Sequence, residues 1–273
     1  MSSGVTRRLP TVLLYVLAVV LAFWTLFPIY LITLGAFSTQ DAIYTYPLQL
    51  WPKHVSGSTL GFFIHSAGTL PSLKRSAYVL LLTMAIAIPV GLPAAYALAR
   101  FSFRGAGPLR LSIVGTRAFP IIILAIPLAA TFISWGIDDS ILAVSFLHAA
   151  LALPFVVLTC ASIFSGISVE LEEAAMTLGC TRITAFLRVI LPLAIPGLAA
   201  SAIFVVIISW NEVFAASTVT LLHPTLPAHI VAVLNQATLP YRFAGGFFLL
   251  VPPIVMLFII RRFLFAMWGQ VVK

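Results

Sequence analysis

This chain of 273 residues carries only seven carboxylates for acid–base or metal chemistry, beside five histidines and two cysteines. Three of them, Glu170, Glu172 and Glu173, fall within four residues, and a fourth, Glu212, follows Trp210 and Asn211. The spacing around the first three predicts a short helix. Ser168 can cap it, and acids in its first turn complement the helix dipole. Leu171 stands at the third position after the cap, so the full capping box is absent. Ala174 and Ala175 keep one face thin, and Gly179 can end the helix in the left-handed conformation. A second short helix over 181–190 then leads to Pro192. An acidic helix with a thin alanine face can seat in a groove of a soluble partner; composition alone favours an ordinary solvated helix between two apolar runs. Two further polar residues, Arg117 and Glu212, stand inside apolar runs, where an ionised side chain costs about 2.5–3.5 kcal/mol on insertion scales. Arg117 either snorkels to an interface or faces inward to a partner. Aromatic, amide and carboxylate at 210–212 suit a sugar's hydroxyls and apolar ring face, or else a structural contact with another chain. His148 reads as a hydrogen-bonded packing histidine.

The rest of the sequence says where such residues must sit. Hydrophobic residues make up 62% of the chain, charged residues 8%, and mean hydropathy is +1.14. Soluble domains are about 25% charged, so a water-facing surface of ordinary chemistry cannot be built, which excludes a soluble enzyme and a free nucleic-acid-binding domain. Six apolar runs, over residues 10–37, 76–99, 111–134, 141–164, 193–217 and 245–260, are each long enough to approach or cross a hydrocarbon core of about 30 Å. In lipid such runs must be helices, because each backbone polar group needs an internal partner. The first is too long for a signal peptide and reads as an uncleaved span. Prolines at 89, 93, 127, 154, 196, 252 and 253 predict kinks, and a bundle that can bend or shift.

Charge sets the orientation. With the N-terminus inside, Arg7, Arg8, Arg100, Arg104, Arg110, Arg182, Arg188, Arg261, Arg262 and Lys273 are inner, and Lys53, Lys74, Arg75 and Arg242 are outer. That asymmetry places both termini in the cytoplasm. It also accounts for the net charge of +8 without nucleic acid as a partner. Trp135 and Trp268 fit as outer and inner interface anchors. Two long outer segments, 38–75 and 218–244, remain, the second with a short apolar stretch at 230–234. Cys160 and Cys180 give neither a disulfide framework nor a metal spacing.

Glu173-Ala174-Ala175, three residues, Gly179, nine residues and then Val189-Ile190-Leu191-Pro192 resemble the EAA loop of ABC importer permeases; Val189 stands where isoleucine is commonest. Further segments resemble the carbohydrate (maltose-type) branch of that family: Ala94 to Arg100 with Phe101 to Gly105, Arg117 to Pro120 with Ile126-Pro127, Leu153-Pro154-Phe155, Trp210-Asn211-Glu212, Pro252-Pro253 and Arg261-Arg262-Phe263. At Lys74-Arg75-Ser76 the family more often has an asparagine before the serine.

The resemblance implies an all-α membrane protein of six transmembrane helices with the type I importer permease fold. It implies a single permease domain over 1–273, carrying a cytoplasmic coupling loop over 165–192. Glu172, Glu173, Ala174, Ala175, Met176 and Gly179 would meet a cytoplasmic ATPase, and Trp210, Asn211, Glu212 and Arg117 would border the translocation pathway. The implied partners are a second permease chain, two ATPase subunits, an extracytoplasmic solute-binding protein and membrane lipid. The solute would be a sugar, oligosaccharide or polyol. The chain would bind no cofactor itself, ATP and Mg residing on the ATPase. In keeping with this, the phosphate-binding pattern needs a Gly-Lys pair, and the three lysines follow Pro52, Leu73 and Val272. An ion-driven transporter is the competing reading, but it needs intramembrane carboxylates as a relay, and only Glu212 is available. A membrane-embedded enzyme finds no convergent catalytic constellation.

Overall fold

The computed structural model describes the backbone of residues 5–47, 49–51 and 54–271, and the side chains of residues 11–47, 49–51, 54–195 and 197–259. Arg7, Arg8, Lys53, Arg261, Arg262, Phe263, Trp268 and Lys273, which carry part of the charge, anchor and motif readings, lie outside the described side chains.

The described chain is all helical. In order it forms α1 (Val5–Ala36), α2 (Gln40–Ile43), α3 (Ser58–His65), α4 (Thr69–Arg100), α5 (Ala106–Gly115), a 3-10 turn (Thr116–Ala118) and α6 (Ile121–Ser134). Then come α7 (Ile141–Gly166), α8 (Val169–Thr177), α9 (Arg182–Ala185), a π-helical stretch (Phe186–Ile190) and α10 (Leu191–Asn211). The last are α11 (Phe214–Val219), α12 (Leu226–Val233) and α13 (Leu239–Val271). Four stretches are long and apolar enough to cross a membrane, Thr11–Ala36, Thr69–Arg100, Ile141–Gly166 and Leu239–Ile259; the number is six if two bent pairs each make one span.

The third apolar run, expected as one helix over 111–134, is broken. Ala106–Ala118 and Ile121–Ser134 meet at 93°. Phe119 is extended, as a residue preceding proline prefers, and Pro120 has no N–H to continue the ladder. Pro89, Pro93 and Pro154 stay inside continuous helices. Those helices are packed against each other, whereas α5 and its 3-10 turn bury no residue. The fifth run, expected to 217, stops at Asn211, and Glu212 is extended.

Contacts divide the chain into two compact units, one of residues up to Ala67 with Leu234–Phe248, the other of Gly68–Val233 with the residues from Leu249 on. In the first, α1 side chains from Thr11 to Pro28 are exposed, as a lipid-facing helix requires. Fully buried Phe63 stacks on Phe248 at 5.2 Å and lies 4.8 Å from the ring of Tyr241. Thr59 Oγ1 donates to Ser38 O at 2.7 Å, tying α3 to the end of α1.

The second unit is built on α4, α7 and α10. Buried residues on α4 run Ser72, Ser76, Val79, Thr83, Ala87, Gly91, Ala95 and Leu98, a stripe of mostly small side chains spaced three to four apart. In lipid, helix association depends on close van der Waals packing, which small residues permit. Opposite them α7 buries Val144, Leu147, Ala152, Val156 and Cys160. A Cβ added to Gly91 would lie 2.5 Å from Val156 Cγ1, and one on Gly197 of α10 would lie 2.6 Å from Ile163 Cδ1.

Near its N-terminus α4 is clamped to two loops. Asp139 adopts a positive φ of 52°. Its Oδ1 accepts the Leu222 and His223 N–H groups at 3.2 and 3.0 Å, and its Oδ2 lies 2.6 Å from His223 Nδ1. Arg75 donates to His223 O at 2.6 Å and to Asp139 O at 3.4 Å, and Ser76 Oγ accepts the Leu226 N–H at 2.8 Å. Burial opposes ionisation of Asp139, but the backbone and ring donors of His223, with the Leu222 N–H, outweigh it and hold the carboxyl below the ordinary aspartate value.

Two outcomes follow from this packing. Gly91→Ala should lower the thermal stability of the detergent-solubilised chain, because overpacking costs about 1–3 kcal/mol and alanine's helix propensity returns only about 1 kcal/mol. Gly91→Ala with Val156→Ala should recover most of the loss. The folded-state pKa of Asp139 is depressed, so its contribution is full above the unfolded value of about 4 and is lost as pH falls through the lower folded value. Asp139→Asn keeps a residue that tolerates positive φ and removes the charge. At neutral pH it should reduce hydrogen-exchange protection of Leu222 and His223 by roughly fivefold, the equivalent of about 1 kcal/mol. Acidification should do the same to the parent chain and nothing further to the variant.

Candidate functional site

The acidic helix is built as its residues require. Ser168 caps α8, its Oγ accepting the Glu170 N–H at 3.2 Å, and Glu170 and Glu172 lie in the first turn. At the other end Gly179 has φ +92°. The Cys180 N–H bonds Ala175 O at 3.1 Å and the Gly179 N–H bonds Met176 O at 3.0 Å, the paired closure of a Schellman motif. Thr181 then caps α9, accepting the Thr184 N–H at 3.3 Å. The second short helix expected over 181–190 is Arg182–Ala185 followed by the π-helical stretch, which runs into α10 without a break at Leu191.

The six residues read as a coupling set divide between two faces. Glu173, Ala174 and Gly179 are exposed, Met176 is half-buried, and Glu172 and Ala175 are buried. Exposed Leu171 and Leu178 flank Ala174, three and four residues away, making an apolar row beside Glu173. Glu172 turns the other way. Its Oε1 accepts from the Tyr96 hydroxyl, its Oε2 accepts from Arg100 Nε at 3.1 Å, and Arg182 Nε lies 3.8 Å from Oε1. Arg100 Nη2 also donates to Ile167 O, at the end of α7, at 2.9 Å. The Tyr96 ring packs against Phe186 at 4.6 Å and Phe164 at 6.1 Å. Tyr96 and Arg100 are the partners sequence reasoning missed. Their four-residue separation placed them on one helix face, but nothing local joined that face to Glu172.

The four residues read as bordering a pathway are not gathered in one place. Trp210 is buried, its Nε1 donating to Leu249 O at 3.1 Å. Asn211 is exposed and donates back to Ile207 O of its own helix. Glu212 accepts the Ala215 and Ala216 N–H groups at 2.9 and 2.8 Å, which starts α11. It also lies 3.4 Å from His148 Nε2, and His148 Nδ1 is 3.0 Å from Ser209 Oγ. Arg117 sits in the 3-10 turn at the break between α5 and α6. Its guanidinium lies 3.4 Å from the Phe155 ring centroid, and it lines a largely apolar cavity of about 740 Å³ with Phe119, Pro154 and Phe155. Residues 210–212 do not line that cavity. Among the described residues no group of three His, Cys, Asp or Glu side chains converges as a metal site.

Residues 87–268 match the family described as "Binding-protein-dependent transport system inner membrane component". The chain is 30% identical over 269 residues to the probable ABC transporter permease protein y4oR of Sinorhizobium fredii, covering 96% of this chain and 94% of that one. It is 30% identical over 194 residues to the sulfoquinovosyl glycerol transport system permease protein SmoH of Agrobacterium fabrum, covering 70% and 67%. Its fold is similar to that of a bacterial ABC transporter involved in the import of the acidic polysaccharide alginate, with a TM-score of 0.74, 20% identity, and 96% and 98% of the two chains covered. The ion-driven reading is thereby set aside. The chain belongs to the binding-protein-dependent transport system inner membrane components: it is a multi-pass inner-membrane permease subunit of an ABC transporter, with no ATPase activity and no cofactor of its own.

Proposed function

We propose that this permease forms half of the translocation pathway of a carbohydrate importer and is driven through α8. The carrying observation is the division of α8 into a buried carboxylate and an outward row of Glu173, Ala174, Leu171 and Leu178. An exposed apolar row beside a free carboxylate, on a helix closed at both ends by its own caps, suits a groove on a soluble subunit. The partner in that groove is a cytoplasmic ATPase. Two such subunits serve this chain and a second, different permease, and ATP-driven closure of the ATPase pair draws the two coupling helices together. The charge count supports cytoplasmic termini, with α8 on the cytoplasmic side and the loop around Asp139 and His223 facing the solute-binding protein.

The solute class rests on the motifs resembling the carbohydrate branch, together with the name of the Agrobacterium relative. Arg117 and Asn211 are the exposed polar candidates for the pathway, since Trp210 and Glu212 are engaged within the chain. Glu212 and Trp210 then shape the pathway by holding the junction of α10 and α11.

The complex can be recovered by purifying the tagged chain in mild detergent and identifying what accompanies it. An ATPase and a second permease are expected, and the cognate binding protein should bind a sugar or polyol in a ligand screen. A binding protein that takes only amino acids or polyamines would overturn the solute class. Glu173→Lys combined with Gly179→Pro should lower transport by at least about tenfold, the equivalent of about 1.4 kcal/mol of docking free energy, with the chain still inserted. Wild-type transport by that variant would refute the assignment of α8 as the coupling helix.

A further inference from the structure

We infer that Glu172, held by Tyr96 and Arg100, is the joint through which movement of α8 is delivered to α4. It is thus a positioning residue for transport, with a role different from that of the partner-facing Glu173. The inference rests on the proposed reading of α8 as the ATPase-facing helix.

Glu172 is 3% exposed on a helix whose residues on either side, Leu171 and Glu173, are exposed. A carboxylate is held out of water only where donors replace its hydration. Here two donors come from one turn of a single helix. Tyr96 and Arg100 are four residues apart and engage different oxygens of the carboxylate. Arg100 is itself almost fully buried and spans to Ile167 O, so the C-terminal end of α7 is included. Removing α8 from this seat would leave a buried carboxylate and a buried guanidinium unpaired, which is strongly unfavourable. Small displacements of α8 therefore carry α4 with them.

The aromatic surroundings have the same effect. The Tyr96 ring is bounded by Phe101, Phe164 and Phe186, from the residue after α4, from α7 and from the π-helical stretch. The joint thus grips the three elements that converge beside α8. From it α4 runs unbroken for 32 residues, about 48 Å at 1.5 Å per residue. Its first turns carry Arg75 and Ser76, which hold the carbonyl of His223 and the amide of Leu226. One helix therefore links the carboxylate beside the coupling surface to the loop at the far end of the unit.

The test uses the complete transporter, reconstituted in proteoliposomes with its binding protein and cognate solute, measuring ATP hydrolysed and solute imported together. Glu172→Gln should leave the ATPase subunits bound and hydrolysis near wild type, while raising ATP consumed per solute by about tenfold. Glu172→Gln with Arg100→Gln removes the unpaired buried charge as well. It should restore yield and thermal stability but not the stoichiometry. Tyr96→Phe, which removes one donor and leaves both charges, should give a smaller rise in the same direction and reads the joint even where Glu172→Gln fails to fold. Restoration of both stability and stoichiometry by the double variant would overturn the inference, making the cluster a folding contact only. So would loss of the ATPase from Glu172→Gln, which would place Glu172 at the partner surface, or wild-type stoichiometry in all variants. If the parent chain itself recovers no ATPase, it is the reading of α8 that fails.

Discussion

The close approach of α4 and α7 is the constraint on which the second unit depends. Lipid removes most of the hydrophobic advantage of bringing two apolar helices together, so contact area and fit must supply the attraction. The stripe from Ser72 to Ala95 provides that fit by presenting mostly small side chains at the interface. At Gly91 the approach is so close that any Cβ there meets Val156. Once α4 and α7 are seated, α10 packs on both, with Gly197 admitting Ile163 at similarly close range. Each proline in α4 and α7 is then tolerated, since packed neighbours hold the helix on both sides of the missing hydrogen bond. Where such support is lacking, at Pro120, the chain turns by nearly a right angle.

Charge is concentrated at the ends of this packed core. Three of the seven carboxylates, Asp139, Glu172 and Glu212, are partly or wholly buried, and each fixes a junction between helices. Asp139 holds the loop after α11 by its amides, Glu172 holds α8 to α4, and Glu212 starts α11 against His148. The other four, Asp41, Asp138, Glu170 and Glu173, are exposed. A chain that is 8% charged thus uses nearly half of its acids as internal fasteners. Hydrogen bonds to charged groups are stronger than neutral ones, which suits places where a few contacts must hold a helix end.

What could be read from the sequence was what depends on local pattern. The long spans at α1, α4 and α7 followed from unbroken apolar runs, and the cap at Ser168 and the left-handed Gly179 followed from residue types at fixed offsets. The break at Phe119–Pro120 was hidden, because the residues on either side are equally apolar and Pro89, Pro93 and Pro154 in similar runs break nothing. Deciding between them requires knowing which helices are packed. The stop of α10 at Asn211 was hidden for a related reason. Glu212 looked like a polar residue inside a span, and its capping of Ala215 and Ala216 depends on its backbone leaving the helix first. The seat of Glu172 was invisible for the plainest reason: its donors lie 72 and 76 residues away. The small-residue stripe on α4 was present in the sequence, but in a chain so rich in alanine it gained meaning only once α7 lay opposite.

Glu172 and Glu173 are adjacent, and adjacent residues on a helix point about 100° apart. One rotation of α8 therefore decides which carboxylate is internal and which is offered outward. The donors on α4, Tyr96 and Arg100, fix that rotation. Ala175, three residues on from Glu172, is buried on the same side. Ala174 is exposed between Leu171 and Leu178. The two small residues thus serve opposite faces. The Glu-Ala-Ala turn is thus thin on both sides, with Glu172 held by α4 on one and Glu173 and Ala174 exposed on the other.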